Sequence, residues 1–189
     1  MSDITKLVLE STTYARWLDP TAEDLYWADS QFGCFRRFAS RTKGKEGEHL
    51  TADVLELLGS IVPRHQKGKK KGQPFKPAGA GTDYDVLIDD YEVEVKTSSA
   101  WQAQSNNFAW QQFRPFQEYI RVICVGINAN QVQAWWCTKE DLEKHIFGRD
   151  EFRQHGGKKG EQELYWISTP GGDTAEVPAF FRSMDTWND

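Results

Sequence analysis

The chain has 189 residues, 39% hydrophobic and 27% charged, with eight tryptophans: enough apolar surface for one folded domain, which excludes disorder and leaves no room for a second full domain. No apolar run reaches the ~20 residues that span a bilayer, and MSDITKLVLE lacks a basic start and a long apolar stretch, so a cytoplasmic protein without a membrane partner is expected. The net charge of −5 does not exclude a polyanionic partner, because Arg36 to Lys76 carries eleven basic and four acidic residues, a local +7 in a remainder of −12.

Along the chain, Ile4, Leu7, Val8, Tyr14 and Trp17 are spaced as on a helix, and Asp19-Pro20 reads as a cap and first turn of a second helix. A third helix is expected from Glu46 to Leu58, with Leu50, Val54, Leu55 and Leu58 on one face and Gly59 ending it. Residues 64–82, RHQKGKKKGQPFKPAGAGT, are too rich in Gly, Pro and Lys for regular structure and read as a mobile basic loop. Asn106 to Arg114 reads as a short helix stopped by Pro115. Ile120 to Ile127 reads as a central strand covered on both sides, and an Asn128–Asn130 turn leads into a strand over QVQAWWC. Thr138 and Asp141 form a capping box for the helix KEDLEKHIF. ELYWIS, residues 163–168, is expected as a last strand after HGGKKG, and VPAFFRSM as a short closing helix. Cys34, Cys124 and Cys137 fit neither a disulfide framework nor a metal motif and are expected as reduced core residues. His49, His65, His145 and His155 have no metal-ligand spacing.

The segment most informative for chemistry is Gly81 to Ser98, GTDYDVLIDDYEVEVKTS, which alternates on both sides of an Asp89-Asp90 turn and reads as a hairpin. With a two-residue turn, Ile88 faces Tyr91, Val86 faces Val93 and Tyr84 faces Val95, an apolar face. On the other side Leu87 faces Glu92, Asp85 faces Glu94 and Asp83 faces Lys96, with opposed Cβ atoms roughly 5 Å apart. Two carboxylates that close repel unless a proton or cation lies between them, so the pair either raises one pKa or binds a hard metal, with Mg²⁺ the natural candidate. Such an ion can lower the pKa of a bound water enough for it to attack phosphorus, and Lys96 beside it can neutralise the developing charge.

Asp85 and Glu94-Val95-Lys96 resemble the PD-(D/E)xK nuclease superfamily, with Tyr84 in place of the namesake proline. The resemblance implies an α/β (α+β) restriction-endonuclease-like core, a mixed central sheet flanked by helices, behind a helical N-terminal part. It implies Mg²⁺ (or Mn²⁺ as a substitute) held by Asp85, Glu94 and the Val95 carbonyl, with Lys96 assisting the attacking water. Asp83 is a rival first carboxylate. Glu48, opening the third helix, matches a glutamate that reaches the metal in this superfamily, and Gln112 and Arg114 match a Gln and a basic residue after the Glu-x-Lys strand. Arg64, Lys67, Lys69, Lys70 and Lys71 would neutralise phosphates at the entrance to the hairpin.

The chain is thus expected to be one nuclease domain over residues 1–189: a helical extension (1–43), a catalytic core (44–137) and a C-terminal helix, strand and short helix (138–189). The expected activity is Mg²⁺-dependent hydrolysis of double-stranded DNA as a homodimeric type II restriction endonuclease. The alternatives are a structure-specific repair or recombination nuclease of the resolvase kind, or a non-catalytic DNA-binding module on the same fold.

Overall fold

The computed structural model describes residues 22–66, 70–74, 83–101, 105–154, 163–170 and 176–188, with the side chains of residues 22–24, 40 and 41 left aside. The helix expected around Ile4 to Trp17, the Asp19-Pro20 start, Lys67, Lys69 and the HGGKKG stretch lie outside the described residues.

Two short helices, α1 (Ala22–Ala28) and α2 (Gly33–Arg36), lead into the long helix α3 (Ser40–Leu57). Helix α3 starts at Ser40 rather than the expected Glu46, because Ala39 is extended and accepts the Lys43 N–H, opening the helix before the basic stretch. It ends as expected: Gly59 has φ +96° and the Ser60 N–H reaches back to the Leu55 carbonyl at 2.9 Å, the geometry of a glycine C-terminal stop. Its buried stripe is Gly47, Thr51, Ala52 and Leu55, while Leu50, Val54 and Leu58 are largely exposed. Gly47 explains this rotation of the stripe, since a Cβ there would overlap the Thr97 side chain; without one, the helix packs directly on the sheet.

The hairpin forms in the register that its alternation requires. Strands β1 (Val86–Ile88) and β2 (Tyr91–Ser99) pair antiparallel with Val86 opposite Val93 and Ile88 opposite Tyr91. Asp89 and Asp90, at φ 50° and 65°, make the turn in the left-handed conformation that a two-residue type I′ hairpin demands. Strand β3 (Ala109–Phe113) follows, then β4 (Arg121–Ile127) and β5 (Val132–Thr138). Helix α4 (Lys139–His145) opens on the expected capping box, with reciprocal Thr138–Asp141 bonds of 3.0 and 3.1 Å. Strands β6 (Tyr165–Ser168) and β7 (Arg182–Ser183) complete the described elements apart from short 3₁₀ turns.

The main sheet has the order β1-β2-β4-β5-β7, with β2 and β4 parallel and the other pairs antiparallel; β3 and β6 form a separate antiparallel pair. It is a mixed α/β structure with a mixed central sheet. Apolar residues of β4 alternate between two cores: Ile123, Val125 and Ile127 toward α3, Val122 and Cys124 toward β3, β6 and α4. Hence β4 reads as a continuous apolar run. Among the described residues no helix is long and apolar enough to cross a membrane.

Four further expectations need correction. The helix expected over Asn106 to Arg114 is instead strand β3, because Phe108 and Trp110 alternate into the core, Ala109 and Trp110 pair with β6, and a bulge at Gln111-Gln112 then restores Phe113 to the same side and to its pairing with Tyr165. The expected closing helix is instead a turn at Pro178, the edge strand β7 and one 3₁₀ turn, Met184–Thr186. The basic loop is ordered where it is described: the His65 N–H donates to the Gln73 carbonyl, the Gly72 N–H donates to the His65 carbonyl, and Arg64 forms a β-bridge with Pro74. Finally, Cys124 and Cys137 are buried as free thiols, but Cys34 is exposed.

Candidate active site

The hairpin ladder ends at the Val86–Val93 pair, and the chain departs from it at Asp85. The Asp85 N–H still bonds the Val93 carbonyl at 2.9 Å, but its carboxylate takes over the next position, Oδ2 accepting the Val95 N–H at 2.8 Å. This bend sends Tyr84 into the β3/β6 core instead of onto the hairpin's apolar face, correcting the expected Tyr84–Val95 pairing. It also leaves Val95 beside β1's end. Within a strand, the N–H and C=O of one residue point to the same side, so the Val95 carbonyl lies on Asp85's side of β2.

Glu94 and Lys96 project to the face of β2 that β3 covers. The Lys96 Nζ donates to Glu94 Oε1 and stands 5.9 Å from the centre of the Phe113 ring. The two side chains retain 14% and 5% of their exposure, so the pair is nearly dry. Burial first, and the Asp85 carboxylate second, push the Glu94 carboxyl up to about 7 against the opposing pull of Lys96. Among the described residues Glu94 Oε2 has no hydrogen-bond partner. An ionised oxygen in that position is costly unless it meets a proton or a cation.

Asp85, Glu94 and Lys96 are therefore brought together. Asp83, the rival carboxylate, lies beyond the end of the hairpin ladder at Val86–Val93, so its expected pairing with Lys96 is not part of the ladder. Glu48 is half-buried next to Gly47, on the helix that packs over Thr97; Thr97 belongs to the face of β2 opposite to that of Glu94 and Lys96. Gln112 and Arg114 flank Phe113, and Arg114 Nη2 donates to Gln112 Oε1 at 3.0 Å on the exposed side. Gln112 itself sits at φ +61°, an unusual conformation for a long side chain. Arg64 does not stand free for phosphate, as expected from sequence. It bonds Asp53 at 2.7 Å, Glu56 at 2.9 Å and the Gly72 carbonyl at 3.1 Å, bracing the loop against α3. Lys70 and Lys71 are exposed at the loop's turn.

Tyr119 was not foreseen from the sequence. It is buried, its hydroxyl has no hydrogen-bond partner among the described residues, and burial together with the Glu94 charge pushes its pKa up. Its one signal in the sequence is its place just before the apolar run of β4, which the parallel pairing lays beside Glu94. Lys139 lies 5.6 Å from the Tyr119 ring and donates to the Gln117 carbonyl at 2.6 Å.

No group of three or more His, Cys, Asp and Glu side chains able to hold a metal ion occurs among the described residues. Two carboxylates do meet, with an unpartnered buried oxygen and a backbone carbonyl on the same side, and that donor set fits a hard cation completed by water and phosphate oxygens. Neither a family model, nor a curated protein, nor a solved structure matches this chain.

Proposed function

We propose that the chain is a metal-dependent endonuclease acting on double-stranded DNA, with a PD-(D/E)xK site on a restriction-endonuclease-like core, and that it works as a homodimeric type II restriction enzyme in the cytoplasm. The observation that carries this reading is the buried Glu94, set between Asp85 and Lys96 with one oxygen unpartnered. A structural salt bridge needs only one carboxylate. The second one raises the energy of the ionised pair, which makes sense where a cation or proton is to be held.

In this reading Asp85, Glu94 and the Val95 carbonyl hold Mg²⁺, for which Mn²⁺ substitutes. When bound, the ion supplies Lewis acidity and a lowered pKa for the attacking water. Asp85 is held rigid by the Val95 N–H, so its second oxygen has a defined direction. Lys96 keeps its ammonium against Glu94 and under Phe113, where low exposure strengthens its attraction for the charge that builds on the phosphoryl oxygens. Arg114, which bonds Gln112, would in the same reading clamp a phosphate bidentately. Lys70 and Lys71 add non-specific attraction to the backbone.

The test is cleavage of plasmid and of unmodified genomic DNA, with and without Mg²⁺, by the native chain and by Lys96→Ala. Discrete, metal-dependent products that fall by about 10²-fold or more in the variant are expected, the usual scale for losing one electrostatic catalyst. Cleavage that ignores metal and variant alike, or no cleavage of any duplex, would overturn the proposal.

A further inference from the structure

A second unusual surface lies where β2 ends. Ala100 is buried, but the next residue, Trp101, is 70% exposed, the most exposed aromatic side chain among the described residues. It is not loose. The Trp101 N–H donates to Asn107 Oδ1 at 3.0 Å, so the backbone is pinned while the indole stands in water. A fixed, exposed indole presents a large apolar face with one polar edge, a combination suited to a partner that is itself part apolar and part polar.

The residues around it are cationic. Arg36 shares with Ser99, Ala100 and Trp101 a depression of about 300 Å³. Lys43, in the first turns of α3, donates Nζ to Ser99 Oγ at 3.3 Å. Burial, and then the charge of Arg36, hold Lys43 below the usual lysine range. Among the described residues neither Arg36 nor Lys43 is in an ion pair. From Arg36 to Lys45 there are five basic residues and no acidic one. Neighbouring cations without a carboxylate favour a polyanion at this surface.

We propose that Trp101, Arg36 and Lys43 form a contact surface for double-stranded DNA, the two cations on backbone phosphates and the indole against a base or sugar edge in the groove. The inference rests on the nuclease reading for the path of the duplex. Trp101 lies two residues beyond the end of β2 and five beyond Lys96, an odd offset that groups it with Ser99 on the α3 side of the strand, and the two backbones are at most about 17 Å apart at ~3.3 Å per residue. A duplex held at the cleavage centre would meet the indole only past the end of β2, within about five base-pair steps at ~3.4 Å per step. A sugar edge is present at every step of the groove, so such a contact steadies duplexes of any sequence.

The experiment measures binding of the full chain, in EDTA, to fluorescent 30-base-pair duplexes of several sequences over a range of salt, with sedimentation in parallel. Trp101→Ala is expected to weaken binding about tenfold on all sequences, the scale of burying part of one indole, and Trp101→Phe to restore most of it. The pair Arg36→Gln with Lys43→Gln should lower the slope of log affinity against log salt by about two, near 0.9 for each phosphate contact. Unchanged affinity in Trp101→Ala and an unchanged slope in the double variant would overturn the proposal. So would loss of a dimer in Trp101→Ala with duplex affinity unaltered, which assigns the surface to a second copy. Trp101-dependent binding by a native chain that never cleaves with Mg²⁺ would remove the nuclease reading and leave this surface standing. Cleavage with Trp101-independent binding would do the reverse.

Discussion

Glu94 gives the folded chain a pH dependence whose sign follows from its surroundings. Its carboxyl rises from the ordinary range to about 7 because burial and Asp85 disfavour the ionised form. A raised folded-state pKa means that the native state holds the proton more tightly than the unfolded chain. This contribution is therefore fully present below pH ~4.5 and is lost as pH rises through 7, a change on the order of 3 kcal/mol for a group this buried. Without divalent metal, Glu94→Gln should match the native chain near pH 5 and melt at a higher temperature at pH 8. Added Mg²⁺ should raise the native melting point at pH 8 and leave the variant's unchanged. Parallel pH profiles for the two proteins would show that Glu94 is not strained. Gln112 is a second strained residue, held at φ +61° where the bulge turns β3 outward. Conformations of this kind cost about 1–3 kcal/mol. Gln112→Gly should raise the stability measured by denaturant by up to about 1 kcal/mol, and Gln112→Val should lower it by about 2 kcal/mol, since a branched side chain fits that region worst.

At the scale of elements, the approach of α3 to β2 through Gly47 can be tested as a pair. Gly47→Ala gains about 1 kcal/mol of helix propensity, yet its methyl would enter the Thr97 side chain, and overpacking costs about 1–3 kcal/mol. Gly47→Ala alone should therefore destabilise. Added to Thr97→Ala, which also removes a buried hydroxyl without a partner among the described residues, the same change should cost clearly less than it does alone, because only the Cβ of residue 97, 2.7 Å from the new methyl, is left to move aside. Thermal or denaturant melts of the four proteins give the coupling, and additive effects would contradict direct contact. The same pair of elements shows how far the sequence could be read. The hairpin was legible because strict alternation and an Asp-Asp turn leave one register, which holds from Val86 to Val93; Asp85 comes beside Glu94 through the bend that follows, not as its ladder partner. Strand β3 was not, because its bulge spaces Phe108, Trp110 and Phe113 like part of a helix turn, and only pairing with β6 decides between the two. The bend at Asp85 and the partnership of Arg64 with Asp53 and Glu56 depend on contacts between segments far apart in the chain, which periodicity does not carry. Tyr119 reaches Glu94 only through the parallel β2–β4 pairing, a long-range feature of the same kind.

Across the whole molecule, the last described residues close over the structure that sets the site's register. Trp187 is buried, and its indole N–H donates to Asp89 Oδ2 at 3.0 Å, in the very turn that joins β1 to β2. Its carbonyl accepts from Arg121 Nη1 at 3.2 Å. The Arg121 guanidinium lies 3.7 Å from the Tyr91 ring centre, 4.6 Å from that of Trp187 and 4.7 Å from that of Trp136. One cation thus joins β2, β4, β5 and the C-terminal turn. Truncating a buried tryptophan costs about 3–5 kcal/mol, and here the Asp89 carboxylate would also lose a donor. Trp187→Ala should therefore lower stability by about that amount, and Trp187→Phe by less, since a ring still packs on Arg121 while the bond to Asp89 is gone. The hairpin turn fixes which residue faces Glu94, so loosening the turn should reach the site. In the proposed cleavage assay, Trp187→Phe well below its melting temperature should lose rate with DNA affinity retained, and Asp89→Asn should behave alike. Full activity in both variants would mean that the β1–β2 register is held by α3 and β4 alone.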